Sequence, residues 1–510
     1  MKCSCVPLVL VAAEAILLVN SALGQTSKVN VRWVDVTRES NTAVSMEVCV
    51  EPPMRRGSPI HDQLFEAIVK LSANYVRLAP WYPYPKLAVT ELEPPYDGKT
   101  SWDFSLLDPI VDDFMRANAG RPVVMDISTI PEWMYETDKP VPYPSNPDEI
   151  VWNYEQGTKL RDPTMKEVAG YWARVASWYT LGGFKDEYGR WHQSGHHYKF
   201  DYWEVLNEVD HEHQMTPESY TALYDAIVTQ VREVAPNMKF VGLALTPNGP
   251  INQPQWFDYF LDPKRHKPGI PLDAISYHFY AWPDTDESPE IMSHTLFLQA
   301  DNFVNVVRYV EAIRQRRSPR TLTMVNEVGT ILPNPETPQL MQPIPTSYWN
   351  LSGAMYAYVF GQLAQLGIDM VYEAELIDYP GQYAGTTLVD WNSGQPNSRY
   401  WVLKLLRDNF NVGDKLVKTQ VEWTDQKTGL EPPRFIYAQG FLTSGGKRKI
   451  LLVNKRNRSF EVVIPQGTGA QVDLVDQITS SEPPHRNRLA SDQMILTGLA
   501  VAVVNLRQVN

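Results

Sequence analysis

Residues 202–245 read "YWEVLNEVDHEHQMTPESYTALYDAIVTQVREVAPNMKFVGLAL" and hold one complete unit of the fold. The opening run, Tyr202 to Leu206, is apolar and β-prone, and then meets Asn207 and Glu208. Thr216-Pro217-Glu218 starts a helix, with a capping hydroxyl, a proline in the first turn and an acid nearby. That helix runs into "MKFVGLAL" (238–245), a second buried-looking strand. A strand, a helix and another strand in this order make a parallel crossover unit.

Working outward, the same alternation recurs. "HDQLFEAIVKLSA" (61–73) has apolar residues at helical spacing and leads to "NYVRLAPW" (74–81). "FSLLDPIVDDFMRANAG" (104–120) is helical, stops on glycine and leads to "RPVVMDISTIPEW" (121–133). Further strands centre on Val205, Val241, Ile275, Met324 and Val371, with helical stretches between them. With Val76, Val124 and the earlier "AVSMEVCV" (43–50), eight strand-then-helix units predict a closed (β/α)8 TIM barrel, an α/β fold. The longest insertion falls between the third and fourth strands. From about residue 415 the pattern changes to short strands with turn residues between them, which predicts a C-terminal β-sandwich domain. The expected division is a signal peptide over 1–24, an N-terminal segment (25–45) able to join the β-domain, the barrel over 46–412 and the β-sandwich over 413–510.

Composition narrows the function. A net charge of −13 without basic clusters excludes a nucleic-acid surface. Many of the 15 Trp and 26 Tyr fall in loops; such rings suit wet binding surfaces as well as cores, and core filling accounts for most of them. The N-terminus has Lys2, an apolar stretch and small residues at Ala22-Leu23-Gly24, the pattern of a secretion signal. Glu14 interrupts that stretch, which departs from the signal pattern but also breaks the span that the alternative, an uncleaved membrane anchor, requires; the expectation is a secreted chain, extracellular or periplasmic. Cleavage after Gly24 leaves Cys49 alone, so stability must come from a large core rather than from disulfides. Asn350-Leu351-Ser352 and Asn457-Arg458-Ser459 are glycan acceptors in a eukaryotic secretory route.

In a parallel barrel the reactive rim is where strands end. Two strands end on Asn-Glu: Asn207-Glu208 and Asn326-Glu327. Strand alternation places Glu208 on the face of Leu206 and Glu327 on that of Val325, so both acids lean into the barrel mouth. A carboxyl pair across a sugar-sized cleft is the equipment of glycoside hydrolysis, one acid protonated and the other ionised.

"WEVLNE" (203–208) resembles the acid/base motif of the retaining barrel glycosidases whose catalytic glutamates end strands four and seven, and within them glycoside hydrolase family 39, which includes β-xylosidases and α-L-iduronidases. The resemblance spans most of the mature chain. It implies Glu208 as general acid/base, Glu327 as nucleophile and Asn207 on the substrate's 2-hydroxyl. In "YHFYAW" (277–282), His278 and Tyr280 are expected beside the nucleophile, where a donor keeps it ionised; a packed core histidine is the other reading of His278. Arg77 matches the arginine that neutralises the nucleophile, the alternative being an interior ion pair with Glu204. Trp133 and Trp282 are expected as stacking platforms. The chain departs from the family pattern at Leu78-Ala79-Pro80, at Asn326 and at Val209, which bears on the sugar rather than on the mechanism.

His192, His196, His197, His211 and His213 invite a metal reading, but no H-E-x-x-H pattern accompanies them. No metal and no cofactor are expected. The partner is an oligo- or polysaccharide, with no nucleic acid and, after signal cleavage, no membrane. The expected activity is exo-acting removal of a pentose-type or related unit. An endo-acting hydrolase, which needs an open groove, and a non-catalytic carbohydrate-binding barrel are the alternatives.

Overall fold

The computed structural model describes residues 26–139, 143–152, 157–249, 253–283, 287–332, 344–378, 381–423 and 434–507. The segment read as a secretion signal lies outside these residues. Strand β1 (Thr26–Glu39) precedes the first barrel strand, β2 (Ala43–Val50), which begins slightly ahead of the expected boundary at 46. The barrel continues with β3 (Val76–Pro80) and β4 (Val123–Met125). A short hairpin, β5 (Gly183–Lys185) and β6 (Trp191–Gln193), lies in the long insertion before the fourth barrel strand, β7 (Tyr202–Glu204). Strands β8 (Lys239–Leu245), β9 (Ala274–Ala281), β10 (Leu322–Thr330) and β11 (Met370–Glu373) close the barrel against β2.

The helix of the opening stretch runs from Pro217 to Val234, and Thr216 and Ser219 cap it reciprocally through side chain and backbone. The helix after β2 (His61–Leu71) buries Leu64, Phe65, Ile68 and Leu71 against the sheet, the face its apolar spacing dictates. Inside the barrel, Val124, Tyr202, Val241, Met324, Met370 and Tyr372 form an apolar plug. Their strand neighbours Val123, Trp203, Phe240, Ile275, Val325 and Val371 turn outward into the core under the helices. Above the plug the inward positions become ionic, centred on Arg77, and this layer is the floor of the site.

After the last helix (Ser398–Asn409), β12 (Lys415–Trp423), β13 (Ile436–Leu442), β14 (Arg448–Asn454), β15 (Phe460–Val463), β16 (Gln471–Val475), β17 (His485–Arg488), β18 (Gln493–Leu496) and β19 (Val501–Asn505) form one nine-stranded sheet with β1. The N-terminal segment thus joins the β-domain, pairing antiparallel to β12 and parallel to β15. The sheet curls until Val472 near one edge and Phe460, Val462 and Leu496 near the other share one core, the sandwich arrangement. Its two faces divide cleanly. Ile450 and Leu452 point into that core, whereas Leu451 and Val453 point to the core continuous with the barrel's helices. Burial on both sides is why "KILLV" and "VAVVN" show no polar alternation.

Of the two glycan sequons, Asn350 sits in a helix (Thr346–Leu366) at 1% exposure, so the folded protein closes that acceptor. Asn457 lies in a loop, where its carbonyl accepts from Gln477 Nε2 at 2.6 Å.

Candidate active site

The site begins with Arg77 on the second barrel strand, fully buried. Its Nε donates to Glu204 Oε2 at 2.6 Å, and its Nη1 to Glu327 Oε1 at 2.8 Å and to Glu47. Its Nη2 donates to Asp126 Oδ2 and Asn207 Oδ1, both at 2.6 Å. Both readings of Arg77 therefore hold in geometry, since it touches Glu327 and Glu204 at once. Four carboxyl groups face one guanidinium, and burying them all ionised would be prohibitive. Burial raises the Glu47 carboxyl well above its ordinary value, with the Glu327 charge adding to it. Burial likewise pushes Asp126 up to about 8 against the pull of Arg77.

Two departures from plain strand alternation deliver the catalytic candidates. β7 ends at Glu204, and Leu206 and Glu208 take left-handed backbone conformations, φ 66° and 39°. Leu206 consequently goes to the outer core, while Asn207 and Glu208 face the cavity. The expectation that Glu208 shares the face of Leu206 fails for this reason. On β10, Val325 pairs with Tyr277 and Glu327 with His278, so Asn326 is an extra residue in a bulge. Val325 points outward, and Asn326 and Glu327 both point inward, so Glu327 does not share the face of Val325. Asn326 Nδ2 donates to Glu204 Oε1 at 2.8 Å.

The two glutamates meet at His278, which is buried on β9. Its Nδ1 lies 3.0 Å from Glu208 Oε1 and 3.2 Å from Glu327 Oε2. A carboxyl oxygen of Glu208 and one of Glu327 lie within 4.8 Å of each other. The Tyr280 hydroxyl donates to Glu327 Oε2 at 2.9 Å. Burial works to raise Glu327, but the cations His278 and Arg77 and the Tyr280 hydroxyl outweigh it and hold it below the usual carboxylate value. Glu208 is raised, by burial first, with the Glu327 charge acting in the same direction. Burial acts to lower His278, and the charges of Glu327 and Glu208 overcome it and raise it. Asn207 is held at both ends of its amide, by Arg77 and by Glu212 Oε1, to which Nδ2 donates at 3.2 Å.

Arg77, Asn207, Glu208, Tyr280 and Glu327 line a cavity of about 410 Å³, within the range of about 300–1,000 Å³ usual for small-molecule sites, and His278 lies beneath its lining. Trp282 stands on its wall, 42% exposed. Trp133, expected as a second platform, does not line the cavity. It is buried, its Nε1 donates to the Glu91 carbonyl at 2.8 Å, and the Arg161 guanidinium covers its ring at 4.5 Å. The aromatic wall comes instead from Trp81, Tyr82 and Tyr383, with Trp81 Nε1 donating to Glu212 Oε1 at 3.0 Å. Sequence reading also passed over Glu47, Asp126 and Glu375 on the wall. Glu47 carried a signal, as the only acid in the apolar run "AVSMEVCV".

Two of the clustered histidines sit beside acids. His192 pairs with Asp186 at 3.0 Å and His196 with Asp108 at 3.3 Å. His213 is buried, and burial pushes its imidazole down to about 4. The unfolded chain takes a proton there near pH 6.5 and the folded chain does not. The stabilising contribution is therefore complete above pH 6.5 and is lost as pH falls towards 4, by ~3 kcal/mol. His213→Phe should flatten this loss, measured by urea unfolding at pH 7 and pH 4.5.

No protein-family model matches the chain, and no curated protein matches it in sequence. Solved structures do match in fold. A GH51 arabinofuranosidase from Xanthomonas axonopodis pv. citri is 13% identical with a TM-score of 0.63, over 95% of this chain and 100% of that one. AbfB, a family 51 alpha-L-arabinofuranosidase from Bifidobacterium longum, is 11% identical with a TM-score of 0.63, over 95% and 99%. A GH30 endoxylanase from Clostridium papyrosolvens C71 is 13% identical with a TM-score of 0.52, over 94% and 100%. Barrel and curled β-domain together thus form an architecture found among solved glycoside hydrolases, and it carries a paired-carboxyl cavity at the strand ends.

Proposed function

We propose that the protein is a secreted, retaining O-glycoside hydrolase in which Glu327 is the nucleophile and Glu208 the general acid/base. The observation that carries this reading is the pair itself: carboxyl oxygens within 4.8 Å, one group raised and the other lowered. Retaining enzymes hold the pair about 5–5.5 Å apart, and inverting ones leave about 6.5–9.5 Å for a water. In the first step Glu327 attacks the anomeric carbon as Glu208 gives its proton to the departing oxygen, leaving a glycosyl ester. In the second, ionised Glu208 takes a proton from water, whose oxygen displaces Glu327. His278 touches both groups, so its charge favours Glu208 once that proton has left. Asn207 lines the cavity with one amide hydrogen not used by Glu212, and donates it to a sugar hydroxyl in this scheme.

Exo action on a pentose-type unit is the finer reading. It is supported by a cavity walled by Trp81, Tyr82, Tyr383 and Trp282 and by the arabinofuranosidases among the fold relatives. The family-39 assignment is supported by the "WEVLNE" motif, and secretion by the pattern of residues 1–24.

Glu208→Ala tests the roles. On aryl glycosides with a strongly acidic leaving group, kcat/KM should change by less than about tenfold, because little protonation is needed. On alkyl glycosides or oligosaccharides it should fall by roughly 10²–10⁴. Equal losses on both substrate classes would reverse or abolish the assignment.

A further inference from the structure

The cavity's charge points to its substrate, on the reading that the site hydrolyses glycosides. Besides Glu208 and Glu327, five acidic side chains line it: Glu47, Asp126, Asp210, Glu212 and Glu375. Among the described lining residues there is no lysine, and Arg77 is the one arginine. A guanidinium has five N–H donors. All of Arg77's are committed, to Glu204, Glu47, Glu327, Asp126 and Asn207. None remains for a ligand. His211 is the other basic side chain on the wall, and Asp210 and Glu212 flank it in sequence. The internal stretches outside the described residues that fall between 26 and 423 contain no Lys, Arg or His.

We infer that the sugar bound next to the nucleophile is uncharged, and that the pocket discriminates against uronic acids. A sugar carboxylate here would be desolvated against carboxyl groups with no free cation to offset it, the costliest arrangement for a buried charge. Sugar hydroxyls have no such penalty, since each both donates and accepts. Glu375, at the end of the last barrel strand, is buried within 4.8 Å of Glu47 and Cys49. Burial and the neighbouring Asp378 and Glu47 charges raise its carboxyl well above the ordinary value. Whether protonated or ionised, Glu375 offers a sugar carboxylate no positive charge.

The test is hydrolysis of matched 4-nitrophenyl glycosides: β-glucoside against β-glucuronide, with β-xyloside and α-L-arabinofuranoside as further neutral probes. The best neutral substrate should exceed the glucuronide by roughly 100-fold or more in kcat/KM. Asp210→Asn, or Glu212→Gln should the first fail to fold, should narrow that ratio by removing a carboxyl group from the wall. A glucuronide turned over within tenfold of the best neutral substrate overturns the inference. Turnover of none of them overturns the glycosidase reading instead. Charge discrimination is then read by calorimetry with methyl β-glucoside and methyl β-glucuronide, where equal or tighter binding of the uronide overturns it.

Discussion

On the proposed roles, Glu327→Ala is expected to lower turnover by roughly 10⁴-fold or more, since it removes the nucleophile and with it a covalent step rather than one contact. Added azide should restore part of the activity on aryl glycosides and release a glycosyl azide of inverted configuration. The reason is spatial. Azide can occupy the volume left by the carboxylate, on the face opposite the departing oxygen, but a single displacement inverts where two displacements retain. Proton NMR of the product reads the configuration. A retained azide product would place the nucleophile elsewhere. The substitution should leave the fold intact, because Glu327 is one of several acids competing for Arg77, and its loss relieves negative charge in the ionic layer.

Arg77→Leu should be more damaging to the whole molecule. It strands Glu47, Asp126, Glu204 and Glu327 without their shared cation, and breaking a buried ion pair from one side costs about 3–5 kcal/mol. The loss should depend on pH, with a sign that follows from the carboxyl groups. Asp126 is raised to about 8 even with Arg77 present. Between its unfolded value near 4 and that raised value, the folded state holds a proton that the unfolded chain releases. Its contribution is therefore complete below about pH 4 and is lost as pH rises through 8. Arg77 pulls Asp126 and Glu47 down, so removing it raises both further and deepens the same trend. Urea unfolding should show the variant's deficit larger at pH 8 than at pH 5, and a deficit independent of pH would mean the four acids do not share this cation. Activity should vanish with it, because Glu327 and Asn207 lose the donor that holds both.

Much of this arrangement is legible along the chain. Eight apolar strands alternating with helical stretches, two of them carrying Asn-Glu at or just beyond their C-terminal part, determine a closed parallel barrel with acids near its rim, because strand period and helix period are local properties of the backbone. The change to short strands after residue 415 likewise announces a second domain. Which side chains converge is not local. Strand alternation assigns Glu208 to the face of Leu206 and Glu327 to that of Val325. A left-handed turn and a one-residue bulge re-aim both, and such irregularities are set by neighbouring strands rather than by the residues that carry them. Trp81 directly follows one barrel strand and Trp133 lies in the loop after the next, and only packing decided that Arg161 covers Trp133 while Trp81 faces the cavity. The charge state of the floor is also tertiary. Glu47, Asp126, Glu204 and Glu327 are scattered over nearly three hundred positions and compete for a single guanidinium only once the barrel closes, so their protons are shared by geometry that no stretch of the sequence contains.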